Sequence, residues 1–331
     1  MDKISRLKNA LRPSCLNFFL KASFSTQPEV FDRALKLRHR NQSLIIPDST
    51  YYDYLREEVA NRLVDRLDDI TRKFPDALEL GSHRGHFLKT LLSEAEDRSE
   101  IPGGIKNFTQ TDSSKNAYSE AKILGTQQDK ICVNTCVSDD EILDIKPNSL
   151  DLIVSSLTLH WVNDLPSTLK QICDSLRPDG CFLGAMLGGH TLKEFRYCMY
   201  LAEQERKGGY SPHTSPFASA SDISSLLQRA GFQLQTVDVD SVQIGYPDLF
   251  SLLEHLQKMG ESNASLNRQL GVGKDTFLAA AAMYKELYGL EDGSVPATFQ
   301  VIYMIGWKHD ESQPKAKQRG SASKSLKELS R

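Results

Sequence analysis

The chain has 331 residues, 40% of them hydrophobic and 25% charged, and its 40 Lys+Arg against 43 Asp+Glu give a formal net charge of −3. That composition supplies a sizeable core and excludes both a wholly disordered chain and a small fold dependent on covalent staples. The near-neutral balance argues against a nucleic-acid grip by net charge, and no apolar run approaches the ~18 residues of a membrane helix.

Residues 1–26 set Lys3, Arg6, Lys8, Arg12 and Lys21 against one acid, Asp2, with recurring serines. Ile4, Leu7 and Leu11 share a helix face. A basic, acid-poor, amphipathic start of this kind reads as a mitochondrial presequence, with a processing neighbourhood at 21–26. Its removal leaves a distinctly acidic chain. A helical repeat follows at Leu55, Val59, Leu63, Leu67 and Ile70. Ala77–Leu80 then reads as a strand, Gly81-Ser82-His83-Arg84-Gly85 as a tight turn, and Phe87–Leu92 as a helix. Short strands are expected at 108–112, from 131, and at 149–155. Asp164 and Pro166 open a helix through Leu176, and Pro178-Asp179-Gly180 turns the chain into a strand at 181–186. Helices are expected at 191–205, at 221–230 with Ser221 as cap and Gly231 as terminator, near 247–259 and at 275–288, with strands at 232–242 and 299–307.

Alternating strands and helices require right-handed crossovers, hence an α/β fold with a mostly parallel sheet covered on both faces. Ligands of such sheets bind beyond the strand carboxyl ends. Insertions near 190–220 and 245–295 are placed to form a lid. The expected organisation is a presequence (1–26), one domain (27–308) and a flexible basic tail (309–331). The six cysteines lack zinc spacing and read as reduced, mostly buried thiols.

The turn does not fit a dinucleotide fingerprint, because positions 83 and 86 are histidines. It resembles the acid-x-G-x-G-x-G motif of class I S-adenosylmethionine-dependent methyltransferases, with Glu79, Gly81 and Gly85 matching and His83 in place of the middle glycine. The resemblance implies a seven-stranded Rossmann-like sheet and S-adenosyl-L-methionine as cofactor. It also implies that Asp112 meets the ribose hydroxyls, and that Asp139, with Asp140 as alternative, meets the adenine amine. Carboxylates are suited to both tasks, being acceptors only when ionised. The implied cofactor set is Glu79, Gly81, Ser82, His83, Gly85, Asp112, Asp139, Ser155 and Leu157.

Further blocks narrow the resemblance. Ser155-Ser156-Leu157-Thr158-Leu159-His160-Trp161-Val162-Asn163-Asp164 looks like the segment after strand four of bacterial malonyl-carrier-protein methyltransferases. It is more similar still to the mitochondrial complex I assembly factor 5 family of arginine hydroxylases. Phe31-Asp32-Arg33, Gly184–Gly189, Glu203–His213, Met259-Gly260-Glu261-Ser262-Asn263, Glu291–Thr298 and Ile305–Lys308 support that family, over about residues 31–325. The resemblance implies a matrix protein, peripheral on the inner membrane. It implies action on early complex I assembly intermediates through hydroxylation of an arginine of the iron–sulfur subunit 7. Two other readings follow from the same residues: a methyltransferase acting on a protein or carrier-bound acid, and a chaperone that performs no catalysis.

Oxygen chemistry normally needs a metal or other cofactor, and the sequence identifies none. His190, Glu194 and His213 offer two histidines and a carboxylate, but read better as helix-start and loop residues. His160 and Trp161, just past strand four, are the candidate catalytic pair: His160 to position substrate or move a proton, Trp161 to flank adenine or a substrate side chain. Trp161 reads equally well as core. Glu203 and Glu205 are candidates for a substrate guanidinium, or for a solvated helix face.

Overall fold

The computed structural model describes residues 29–315, except 47, 97, 99, 118–129 and 270, together with 319–321. The presequence reading and most of the tail fall outside the described residues. A seven-stranded sheet runs in the order β3-β2-β1-β4-β5-β7-β6. Its strands are β1 (Asp76–Leu80), β2 (Asn107–Asp112), β3 (Cys132–Val137), β4 (Leu150–Ser156), β5 (Leu176–Leu187), β6 (Phe232–Tyr246) and β7 (Val295–Lys308). The first five are parallel, and β7 lies antiparallel to both β5 and β6.

Strand alternation builds a core on each face. Leu152, Val154, Leu183 and Ala185 face one layer, which contains α2 (Tyr54–Asp68) and α3 (His86–Glu94). Ile153, Phe182 and Met186 face the other, with Leu169 and Ile172 of α4 (Leu165–Ser175) and Ile223 and Leu227 of α6 (Ala220–Ala230). β4 is buried along its whole length, as a central parallel strand must be. Further α-helices among the described residues are α1 (Arg33–Ile45), α5 (Lys193–Lys207), α7 (Leu249–Lys258) and α8 (Lys274–Tyr288).

Several expected boundaries move. Ser219, not Ser221, caps α6, in a reciprocal capping box with Asp222; the cap must stand three residues before its acid. β5 starts at Leu176 and carries Pro178-Asp179-Gly180 as a bulge, with Asp179 at φ 59 and a register shift opposite Leu150/Leu152. β6 and β7 outrun their expected spans because they pair from Phe232↔Lys308 to Tyr246↔Val295, with one register shift between Gln233 and Thr236. Cys173, Cys181 and Cys198 are buried, whereas Cys132 is exposed because β3 is a sheet edge.

The helix α1 is absent from the sequence expectations. Asp32 caps it, accepting from the Leu35 amide at 2.9 Å. The preceding residues are pinned: Asn163 Oδ1 accepts from the amides of Val30 and Phe31, and Asp32 N–H donates to the Ala264 carbonyl. α1 thereby brings Arg33 to Asp139 and Arg40 to Asp112, acids that follow β3 and end β2, and Lys36 to Glu261, which follows α7.

Candidate active site

The turn after β1 is shaped by two left-handed glycines, Gly81 and Gly85, both at φ 72. A Cβ at Gly81 would lie 2.2 Å from Thr158 Oγ1, so the loop after β4 leaves room for glycine alone. His83 also adopts positive φ, at 50°, a conformation that a non-glycine residue holds only when its surroundings enforce it. They do: the His83 amide donates to Asp112 Oδ2 at 2.7 Å, and its ring is buried against Ser43 of α1. Gly81 and Ser82 amides both donate to the Thr111 carbonyl, and Gly85 donates to Ser82. Leu157, another left-handed residue, donates to the Ala185 carbonyl, and Ser155 Oγ donates to the Leu80 carbonyl, which locks β4 to its neighbours.

Asp112 stands at the end of β2, and its carboxylate is already occupied. It accepts from Arg40 Nη2 at 2.6 Å, His83 N–H at 2.7 Å and Ser114 N–H at 2.7 Å. Arg40 also reaches Asp140 at 3.3 Å. Burial pushes the Asp140 carboxyl up to about 6 against the opposing pull of Arg40. Asp139 is engaged by Arg33 at 2.5 Å and by the amides of Glu141 and Ile142 in its own turn. Glu79 lies buried on β1, accepts from Gln110 at 2.7 Å, and is pushed up to about 8 by burial. Arg33, Lys36, Arg40, Asp139, Asp140, Thr158 and Trp161 help line a cavity of ≈ 230 Å³. Glu79 thus lies on β1, Asp112 ends β2, and Asp139 and Asp140 follow β3. In this arrangement Arg40 occupies the Asp112 carboxylate and the His83 ring packs against Ser43, so both side chains are already engaged at the turn where a methyltransferase domain holds S-adenosylmethionine.

Beside this cavity a buried carboxylate, Glu261, gathers four partners. Oε1 takes Arg56 at 2.7 Å and Lys36 at 3.3 Å; Oε2 takes Trp161 Nε1 at 2.8 Å and His160 Nε2 at 3.2 Å. Burial opposes its charge, yet Lys36, His160 and Arg56 together hold it well below the usual carboxylate range. The Lys36 ammonium lies 3.7 Å from the Trp161 ring centroid, a cation–π contact, and burial pushes it down to about 7. Burial likewise lowers His160, whose side chain has no exposure and whose Nε2 is paired with Glu261 Oε2. Trp161 is the dividing wall: it lines the first cavity and also a second, of ≈ 140 Å³, with Phe195, His213, Phe217, Glu261, Asn263 and Phe299. The insertions expected near 190–220 and 245–295 supply most of that second lining.

His190, Glu194 and His213 do not converge. Glu194 accepts from the Thr298 amide and hydroxyl, His213 pairs with Glu203 at 3.1 Å, and His190 is exposed. Glu203 is committed to Ser211 and His213 and is buried, so it offers nothing to a substrate guanidinium; Glu205 is exposed. Sequence reasoning missed Glu261 as a site residue, although it quoted the block that holds it, and missed Lys36, Arg40 and Arg56. It also missed the approach of Asp53 to His83 and His86 under the turn. Burial holds both histidines neutral, well below their ordinary range.

Sheet order, glycine turn and acid placement together define a methyltransferase-fold protein, and a methyltransferase domain model matches residues 52–237. A solved structure of the YcgJ protein from Bacillus subtilis shares the fold at TM-score 0.52 and 12% identity, covering 75% of this chain and 98% of its own. A malonyl-[acyl-carrier protein] O-methyltransferase of Gallionella capsiferriformans is 30% identical, over 77% of this chain and 84% of its own length. The human protein named arginine-hydroxylase NDUFAF5, mitochondrial, is 49% identical over 92% of this chain and 85% of its own length. The chain belongs to that arginine-hydroxylase NDUFAF5 family.

Proposed function

We propose that this chain is a mitochondrial arginine hydroxylase acting on a protein of the complex I assembly line, its substrate the iron–sulfur subunit 7 before that subunit joins the peripheral arm. The observation that carries this reading is the 49% identity to the human arginine hydroxylase, extending over nearly the whole of both chains. The geometry agrees. Glu261 and the Trp161 face already hold a cation, the Lys36 ammonium. A guanidinium suits a carboxylate and an aromatic face better than an ammonium does, because it is planar and forks its donors. The substrate arginine enters where Lys36 now sits, and its stem occupies the cavity behind Trp161. Withdrawal of α1 removes Lys36 from Glu261 and Arg40 from Asp112 in one movement, which opens the substrate position and the S-adenosylmethionine position together. The protein works in the matrix, peripheral to the inner membrane, after loss of residues 1–26; no helix among the described residues is long and apolar enough to cross a membrane.

Mass spectrometry of subunit 7 with and without this protein tests the reading. Loss of a +16 Da mark on one arginine is the expected result. Loss of +14 Da instead means methyl transfer, the reading favoured by the malonyl-carrier methyltransferase likeness. No covalent change with stalled assembly means a chaperone that performs no catalysis.

A further inference from the structure

The motif pattern wants glycine at position 83, and this chain places histidine there and again at 86. Beneath the turn, Asp53 at the start of α2 approaches both rings. One ligand atom from each of Asp53, His83 and His86 lies within 4.8 Å of the others, and all three residues are buried. Asp53 Oδ2, His83 Nδ1 and both ring nitrogens of His86 have no hydrogen-bond partner. His86 Nε2 lies 3.6 Å from Asp53 Oδ2, too long for a hydrogen bond. Each buried polar group left this way costs about 1–3 kcal/mol. One atom from each of the three residues, gathered within 4.8 Å, has one simple common partner, a cation.

The tautomer of His83 follows from its neighbour. Ser43 has one hydroxyl proton, and it goes to the Arg40 carbonyl at 2.8 Å. Ser43 Oγ must therefore accept at 3.2 Å from His83 Nε2–H, which leaves the Nδ1 lone pair without a partner and free to ligate. A ring whose far nitrogen is fixed by a hydrogen bond is how metal-binding histidines are oriented. Three ligands from one side, two imidazoles and a carboxylate, are the donor set of mononuclear iron(II) oxygen-using sites.

We propose that Asp53, His83 and His86 bind one divalent first-row transition cation, iron(II) foremost, directly beneath the glycine turn. Ligand–metal distances of about 2.0–2.2 Å place neighbouring ligands about 3 Å apart, so loading draws the three atoms together by about 1–2 Å. Arg84 lies 3.7 Å from Asp53 and is tied to the Ser43 carbonyl at 2.5 Å; with Arg56 and Lys89 it compensates the carboxylate in the metal-free state. The site explains why the turn gives up its middle glycine. Its use in hydroxylation rests on the function proposed above; its binding does not.

The test is metal binding by the full chain, stripped with chelator and reloaded anaerobically with iron(II), or with cobalt(II) as a spectroscopic probe. One metal per chain by elemental mass spectrometry, with cobalt d–d bands, is expected. His86→Ala should abolish both. His83→Gly restores the motif residue at a positive-φ position and so preserves the turn; it should weaken binding at least a hundredfold. Ser43→Ala, which frees the His83 ring, should weaken it about 10–100-fold. No stoichiometric metal on the wild type, or wild-type affinity in folded His83→Gly, overturns the proposal. A subunit 7 arginine without the +16 Da mark overturns the hydroxylase reading and leaves metal stoichiometry untouched.

Discussion

Replacing Arg40 by Met tests whether α1 closes the cofactor cleft. The Arg40 side chain is only 8% exposed and bridges Asp112 at 2.6 Å and Asp140 at 3.3 Å. Removing one partner of a buried ion pair costs about 3–5 kcal/mol, because the opposite charge stays buried. Asp112 keeps the amides of His83 and Ser114, so the loss should fall toward the lower figure. Asp140, already pushed up to about 6, should rise further and take up a proton. Stability and cofactor affinity should therefore move in opposite directions. A hydrogen bond to a charged group contributes about 1.5–3 kcal/mol. Its removal from the closed state raises the open population about tenfold or more, at about 1.4 kcal/mol per tenfold, and apparent affinity follows that population. Urea melts should show a less stable Arg40→Met protein, while calorimetry should show S-adenosylmethionine binding at least tenfold tighter than to the wild type. A folded Arg40→Met variant that binds the cofactor no tighter would falsify the competition between Arg40 and the ribose.

Two further outcomes follow from the turn and its acid. Glu79 is raised from 4.5 to about 8 in the fold, so its burial costs nothing below pH ~4.5 and progressively destabilises as pH rises through 8. Glu79→Gln should remove that slope, gaining on the wild type by up to roughly 5 kcal/mol at alkaline pH, at 1.36 kcal/mol per pKa unit; parallel urea-stability profiles from pH 5 to 9 would contradict it. Gly81→Ala forces a Cβ against Thr158 at a left-handed position and should cost about 1–3 kcal/mol or more. Thr158→Gly in the same chain should recover part of that loss in thermal melts; a purely additive pair would mean that the clash is not the cause.

The sequence by itself determined the alternation of strand and helix, because those elements bury apolar stripes at periods of two and 3.6. The glycine turn was legible for the same local reason: Gly81 and Gly85 mark positive φ, and Glu79 and Asp112 follow from strand ends. α1 was illegible because its buried face is polar. Arg40 and Ser43 are turned inward along with Leu44, so hydrophobic periodicity gives no sign of it. Glu261 and Asp53 were illegible for a related reason: each meets its partners across a hundred residues or about thirty, respectively, as in Glu261 with His160 and Asp53 with His86. Only the tertiary structure decides that a basic N-terminal helix neutralises the acids of the strand ends. Only it shows that Asp53, His83 and His86 share one buried point. The near-zero net charge of the chain is now a spatial statement, since Arg33, Lys36 and Arg40 are matched one by one to Asp139, Glu261 and Asp112. Charge pairing of this kind depends on distance and dielectric, which composition does not contain.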